Sequence, residues 1–580
     1  MASPRRLGTL LALVLLILVG IAAWVGWTAY HVKDSLDAAV RDADAVQSSL
    51  EAGSTREASA ALADLREHSG DAADRTSGLT WRALGLLPVV GDDADGIALA
   101  SDVVADLALE GAEPLISAAD DLDAIVPRDG RVDLDAVERL GTPVDRADDA
   151  FTTADDRLQR ADPEGYVGTL ASGFRDLRQK VGDAQSAMSS AATALEVMPS
   201  MLGGDGARDF LLVMQNNAEI RATGGLPGAI SVVRTHNGLV DLTRQIAATD
   251  LGTREQPLQL TKEESELFST NIGRFPGDYN LTPDWPRAAD LLRQHWTRSQ
   301  PEQPAGVLSV DPVALSYLLE VTGPVTAAGV ELRADNVVDE LLFATYERLA
   351  DPSAQDEFFR AAALAVFDRV TSGVERPQDV LRALSRAARE GRLLVHSFDD
   401  VEQGALAGTA VAGELTGDDA NRPQVGAYLN DTSAAKMSYF LRHETTAEAT
   451  TCEDDRQRLV GRLRLESTLR EDQVGSLPDL VTGGGNYGAP VGSQLVVAYL
   501  YGPVGGSIDA VTFAGERVDA GALEHDGRPV VRVLAQLDPE ETIDVEWTMT
   551  TATGQTADVD VRATPSIEPG SSFSSAASAC

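Results

Sequence analysis

The sequence predicts a multidomain α+β protein, with an N-terminal transmembrane helix, a helical stalk or bundle, a central mixed α/β domain and a C-terminal β-sandwich. Three observations predict it. Residues Leu7–Tyr30 carry no charged side chain, and that is about the length a helix needs to cross ~30 Å of hydrocarbon. Residues 32–200 are rich in Ala and Asp, with apolar positions at helical spacing. After residue 440 the apolar spacing changes to two.

The elements follow in order. Arg5 and Arg6 precede the apolar run, and the stretch after Lys33 is acidic. The positive-inside bias therefore puts residues 1–6 in the cytoplasm and the bulk of the chain outside the cell membrane. The run is longer than the apolar core of a cleaved signal peptide, and Trp24 and Trp27 stand where small cleavage residues would be expected. The expectation is an uncleaved single-pass anchor over 7–30.

From 31 to 200, Leu36, Val40, Ala43 and Leu50 keep helical spacing, and Ser54-Thr55-Arg56-Glu57 has the pattern of a capping box. Helical patterning continues over 100–123, 132–159 and 166–198, broken at "GLLPVVGDD" and "VPRDG". The apolar content is thin and Ala-dominated, which suits slim hairpins or a loose bundle acting as a spacer. Gly and Asp in "SMLGGDGARD" then mark a linker into the α/β domain, placed at 205–435. There, Asn237-Gly238 between apolar runs signals a hairpin. Pro286 opens a helix carrying Ala289, Leu292 and Trp296 on one face. A strand at Gly306–Val310 ends at Asp311, which is placed to cap a helix opened by Pro312 and stopped by Gly323. "GRLLVHSF" at 391–398 reads as a returning strand.

In the predicted sandwich, 440–566, Leu459, Gly461, Leu463 and Leu465 alternate with polar neighbours, as do Ile543, Val545, Trp547 and Met549. The Ser-rich stretch 567–580 reads as a disordered tail. It ends in Cys580, and the only other cysteine is Cys452. The two would pair with each other, with another chain, or stay unpaired; the chain does not depend on a disulfide framework.

The net charge of −42 argues against nucleic acid as a main partner and against lying flat on an anionic membrane. Zinc chemistry has no support, since there is no CxxC pair and the seven histidines are scattered. The sequence has no GxSxG elbow and no P-loop. "GGGNYG" at 483–488 matches GxGxxG but opens no helix, so it reads as a loop. "NLT" at 280–282 and "NDT" at 430–432 match the glycosylation pattern by chance.

One stretch concentrates polar residues of particular geometry. "QNNAEIRATGG", 215–225, follows the apolar run Phe210–Met214. If the strand continues, alternation puts Gln215, Asn217, Glu219, Arg221 and Thr223 on one face. One reading is an anion pocket, with Arg221 clamping phosphate bidentately, Asn216, Asn217 and Thr223 lining it, and Glu219 orienting the arginine or holding a metal. The other is a buried polar knot, with Arg221 paired to Glu219 and the asparagines satisfying loop carbonyls.

The strings "RDFLLVMQNNAEIRATGG", "TPDWPRAADLLRQHW" and "GVLSVDPVALSYLLEVTGPV" resemble, in that order, the bacterial family catalogued as domain of unknown function 4012. The likeness is most specific over about 205–345. The last string also resembles, more distantly, a stretch of the LytR–CpsA–Psr family, which moves lipid-pyrophosphate-linked glycopolymers onto the cell wall. By that resemblance Arg221, with Arg208, Arg234 or Arg274, would hold pyrophosphate, and Asp278 or Asp284, like Glu219, would bind Mg²⁺. The characteristic Arg-Asp-Thr strings of that family are missing here.

The functional expectation is an envelope protein that binds, and by the resemblance transfers, a polyprenyl-pyrophosphate-linked glycopolymer. The alternative is a non-catalytic scaffold or adhesion protein of the envelope, partnered by other envelope proteins. The two separate on Arg221: the first needs it in an open cleft, the second closed off.

Overall fold

The computed structural model describes residues 31–49, 54–87, 90–118, 121, 125–374, 376–417, 419–486, 488–519 and 521–580. The membrane helix expected over 7–30 lies outside them. Among the described residues no helix is long and apolar enough to cross a membrane. The fold class is corrected accordingly: the described residues are multidomain α+β, without the transmembrane helix that the sequence predicts.

The chain divides into two compact units, the first reaching Ile125 and resuming over Asp133–Pro199, the second formed by Val126–Val132 and Ser200–Cys580. The first unit is helical. Helices Thr55–Thr76, Gly91–Asp106, Leu134–Gln159 and Gly168–Met201 supply most of it. Its cores are small, one built on Ala39, Ala58, Leu62, Leu65 and Ile116 and another on Val103, Leu158, Phe174 and Val181. The expected capping box does not form, because Ser54 stands at the N-cap position without a side-chain bond. Asp133 does cap its helix, accepting from the Ala136 amide at 3.2 Å.

The second unit opens on a five-stranded sheet of order β3-β2-β1-β4-β7. Its strands are β1 Arg208–Arg221, β2 Gly224–His236, β3 Leu239–Ala247, β4 Pro304–Val310 and β7 Leu394–Ser397, with a small hairpin, β5 Val325–Ala327 and β6 Val330–Leu332, between the last two in the chain. β1 runs parallel to β4 and antiparallel to β2. Asn237 and Gly238 take positive φ of 48° and 78° and close the β2–β3 hairpin as their sequence predicts. The "VPRDG" break lies against this hairpin, with the Val132 amide donating to the Gly238 carbonyl at 2.9 Å.

Helices cover both faces of the sheet. Leu211, Val213, Ile230 and Val307 face a core completed by Trp285 and Trp296 of helix Trp285–Ser299. Asp284 caps that helix and Pro286 sits in its first turn. Met214 packs towards the opposite core, formed by helices Pro312–Thr322, Pro352–Thr371 and Pro377–Arg389. Asp311 caps the first of these, and Gly323, at φ 83°, ends it.

Two further sheets follow. Their strands are β8 Gln424–Asp431, β9 Leu441–Glu453, β10 Arg456–Ser467, β11 Gln494–Tyr501, β12 Ser507–Phe513, β13 Glu516–Val518, β14 Leu523–His525, β15 Arg528–Leu537, β16 Thr542–Thr550, β17 Val559–Ala563 and β18 Phe573–Ala576. They assemble as β13-β12-β16-β10-β9 and β14-β15-β11-β8-β17-β18. One core joins them, with Leu463, Val545 and Trp547 from one sheet against Leu429, Val496 and Val531 from the other. Gly461 stands opposite Trp547, where a Cβ would lie 2.3 Å from the indole; glycine makes the room that the large ring fills. The outer face of the second sheet, through Tyr428, Tyr499, Tyr501 and Val530, joins the core around Trp285.

Two boundaries drawn from the sequence are revised. β8, inside the span assigned to the α/β domain, is a strand of the second sandwich sheet, and both regions belong to one compact unit. The tail is not disordered: β18 pairs with β17, and Cys580 forms a disulfide with Cys452. Ser-rich composition signalled disorder, but backbone pairing and the covalent link order the segment.

Candidate functional site

The polar stretch occupies the end of β1, where its pairing with β2 breaks twice. Asn216 stands opposite Leu226 and Ile220 opposite Gly225, so residues 217–219 bulge out of the ladder. Gly225 permits this. A Cβ there would lie 2.3 Å from the carbonyl carbon and oxygen of Asn216, closer than any side chain allows. The bulge overturns the expected alternation, and the polar side chains go to three different places.

Gln215 and Thr223 turn into the interior. The Gln215 side-chain oxygen accepts from the Gly225 amide at 2.8 Å and from Thr223 Oγ1 at 3.2 Å, and Asn280 donates to Thr223 Oγ1 at 3.0 Å. Asn217, fully buried, donates to Asp311 at 3.1 Å. Asp311 in turn takes a bond of 2.8 Å from the buried Arg392, which also grips Glu390 and the Ser566 carbonyl.

Arg221 does not face an open cleft. It is 7% exposed. Its Nη1 donates to the carbonyls of Ile220 at 3.1 Å and Asp431 at 3.0 Å, and its Nη2 lies 3.5 Å from Asp278. Nε is buried without a partner. The anion clamp is therefore replaced by a strut that joins the end of β1 to β8. Around it Asn430 receives the Ala222 amide at 2.9 Å, and Thr564 donates to the Ala222 carbonyl at 3.1 Å. The polar-knot reading has the burial right but the partner wrong, because Glu219 pairs with Lys436 rather than Arg221.

The other arginines do not join Arg221. Arg208 makes a fork with Glu402 and donates to Ser200 at 2.9 Å. Arg234 makes a second fork with Asp209, both bonds 2.8 Å. Arg274 donates to the Arg254 carbonyl at 3.4 Å and lies over the Phe275 ring. No two of the four share a hydrogen-bond partner. The suggested metal ligands are committed elsewhere too. Asp278 faces Arg221, and Asp284 accepts from the Arg287 and Leu415 amides at 3.2 and 3.0 Å. Burial raises the Asp278 pKa, although Arg221 opposes the shift. Burial pushes Asp284 up to about 7. Carboxylates that resist ionisation are poor ligands for a hard cation, and among the described residues no group of three or more His, Cys, Asp or Glu could hold a metal ion. The residues do not fit Mg²⁺.

What the bulge does build is a cavity of about 260 Å³ on the opposite side of β1. Leu226, Ile246, Leu315, Leu341, Leu342 and Phe359 supply apolar walls. Asn216, Glu219, Tyr346 and Lys436 form one connected polar group in the lining, and Gln245, Gln355, Asp356 and Arg360 line it as well. Asn216 donates to the Tyr346 hydroxyl at 2.9 Å and accepts from the Ala218 amide at 3.0 Å. The Lys436 ammonium lies 4.3 Å from the Tyr346 ring centroid and bonds to Glu219. Burial disfavours the charge on Lys436, but Glu219 and Tyr346 outweigh it and the Lys436 pKa is raised.

Lys436, Tyr346, Asn280 and Asn430 were missed in the sequence. Lys436 carried one available signal: it is one of four lysines in the chain and sits in the short segment "SAAKMSYF" between apolar strands. Asn280 and Asn430 occur in the two glycosylation-like triplets, and both are buried.

Residues 205–346 match the family model described as "Protein of unknown function (DUF4012)". This span includes the bulge, the cavity's Leu315 and Tyr346, and Arg221, but not Lys436. No curated protein matches the chain, and no solved structure does.

Proposed function

We propose a role from the geometry of a chain whose residues 205–346 match the DUF4012 family of unknown function: it is an extracytoplasmic envelope protein that binds the hydrocarbon part of a polyprenyl-linked glycopolymer. The observation that carries this reading is the apolar cavity beside β1 with its polar group of Asn216, Glu219, Tyr346 and Lys436. Ligand sites have this character, mostly apolar walls and a few convergent polar groups. At about 260 Å³ the cavity lies just below the usual range of ~300–1,000 Å³, so it takes one end of a ligand rather than the whole.

The ligand class comes from the distant likeness to the LytR–CpsA–Psr family. The compartment is supported by the Cys452–Cys580 disulfide, a bond that persists in oxidising surroundings. The role proposed is binding rather than transfer: the arginine clamp expected for a departing pyrophosphate is not assembled, and Arg221 serves as a strut. That same closure favours the envelope-scaffold alternative, in which the second unit only supports other envelope proteins.

Titration of geranylgeranyl phosphate into the full chain tests the proposal. Binding should saturate, and Ala363→Trp, which grows into the cavity from a half-buried lining position, should weaken it at least tenfold without lowering the melting temperature. No saturation, or equal affinity in a well-folded variant, supports the scaffold instead.

A further inference from the structure

A second concavity, of about 540 Å³, lies on the other side of the same helical segment. Leu341, Leu342 and Tyr346 line the apolar cavity, whereas Asp339, Phe343 and Glu347, spaced by four, line the second. A π-helical turn over Glu340–Ala344 carries residues of both sets, and such single turns recur at functional sites. The far wall comes from Tyr439, Phe440, Arg470 and Gln473.

Three aromatic rings meet there. Phe343 and Tyr439 stack with centroids 4.6 Å apart and planes 15° from parallel, and Phe440 sets its edge against both. All three are half-buried rather than sealed in a core. The rim is hydrophilic: Asp339, Glu347, Thr468 and Arg470 are exposed, and Gln473 is half-buried. Asp339 accepts from the Tyr439 hydroxyl. Arg470 is the one cation of the lining, and Asp472 already neutralises it at 2.9 Å.

We infer that this cleft is a binding site for a neutral saccharide. A sugar ring presents an apolar C–H face, which suits the half-buried aromatic rings. Its rim of hydroxyls both donates and accepts, which suits carboxylate, amide and hydroxyl side chains set around those rings. The charge decides the class. With Asp339 and Glu347 facing a cation that already has a partner, the cleft repels phosphate and other anions, whereas an uncharged polyol loses nothing by entering. The cleft is more polar than the apolar cavity, and its occupancy by sugar does not depend on a lipid being bound in that cavity.

Neutral trisaccharides of glucose, galactose, mannose and N-acetylglucosamine, with inorganic pyrophosphate as the anionic control, test it. Saturation-transfer NMR on the full chain, followed by titration, should show at least one trisaccharide binding and no binding of pyrophosphate at the cleft. Tyr439→Ala should weaken that binding at least tenfold, and Glu347→Lys, an exposed change that leaves the rings in place, at least threefold. Ala363→Trp, in the apolar cavity, should leave it unchanged, which separates failure here from failure of the lipid reading. The inference is overturned if no trisaccharide binds, if Glu347→Lys binds like wild type, or if pyrophosphate competes for the cleft.

Discussion

Arg221 donates a hydrogen bond of 3.0 Å to the backbone carbonyl of Asp431, 210 residues further along the chain. The bond ties the end of β1 to the end of β8, and so fastens the α/β sheet to the sandwich. A guanidinium in that position is structural, and its removal should be read first as a loss of stability.

Arg221→Lys keeps the charge but loses the fork that reaches two carbonyls and Asp278. The expected cost is about 1–3 kcal/mol, the range for leaving buried hydrogen-bond acceptors unsatisfied. Denaturant unfolding measures it. The binding of inorganic pyrophosphate should not differ between the two proteins.

Gly225→Ala should be poorly tolerated for a different reason. The new methyl would meet backbone of Asn216, which cannot swing aside as a side chain can. A loss of about 3 kcal/mol or more is expected, at the upper end for overpacking. Gly224→Ala meets a side chain, that of Gln215, at 3.0 Å, but stands at φ 135°, so it too is strained. Melting temperatures of both variants, with Gly228→Ala, whose methyl would make only an ordinary contact of 3.8 Å with the Met214 carbonyl, as the control, should show the first two falling and the third close to wild type.

Two buried groups give opposite pH dependences. His295 is 1% exposed with neither ring nitrogen bonded. Burial first, then Arg254 and Arg298, pull its pKa from 6.5 down to about 4. As pH falls below 6.5 the unfolded chain takes up a proton that the fold refuses, so stability drops until about pH 4. His295→Leu should lose less over that window. Asp431 is pushed by burial up to about 6 from 3.8, against hydrogen bonds from Ser433 and the charge of Arg221. Its contribution is present below 3.8 and lost as pH rises through about 6, so Asp431→Asn should flatten that rise in cost. Unfolding free energies at half-unit steps from pH 3.5 to 8 compare the three proteins.

Cys580→Ser releases a link between residues 128 apart. Stability should fall by about 2–5 kcal/mol. Amide exchange should rise first in β18, whose pairing with β17 covers four residues at the sheet margin. Exchange that rises evenly over the sandwich would place the role of the disulfide elsewhere.

The features legible in the sequence are those set within a few residues. Asn237-Gly238 dictates its hairpin, Asp284 and Asp311 cap the helices that Pro286 and Pro312 open, and period two marks β10 and β16, because each signal and its effect share one turn or one strand. The site was legible only as a concentration of polar residues at 215–225. Its meaning depends on partners far away, Glu219 on Lys436 and Arg221 on Asp431, and pairing over 200 residues leaves no local trace. Alternation failed at the bulge, although Gly224-Gly225 already hinted that backbones approach closely there. The tail shows the limit of composition, since serines that suggest disorder become β18 once a neighbouring strand offers its edge.

The most direct test of the central claim, that the ligand enters the apolar cavity while Arg221 stays a strut, is photocrosslinking of the full chain with a benzophenone-bearing isoprenoid phosphate, followed by peptide mapping. Labels are expected on the cavity walls, in residues 226–229, 245–249, 312–315, 341–346 and 355–363. Labels concentrated around Asp278, Arg221 and Asp431, or spread without preference over the surface, would contradict it.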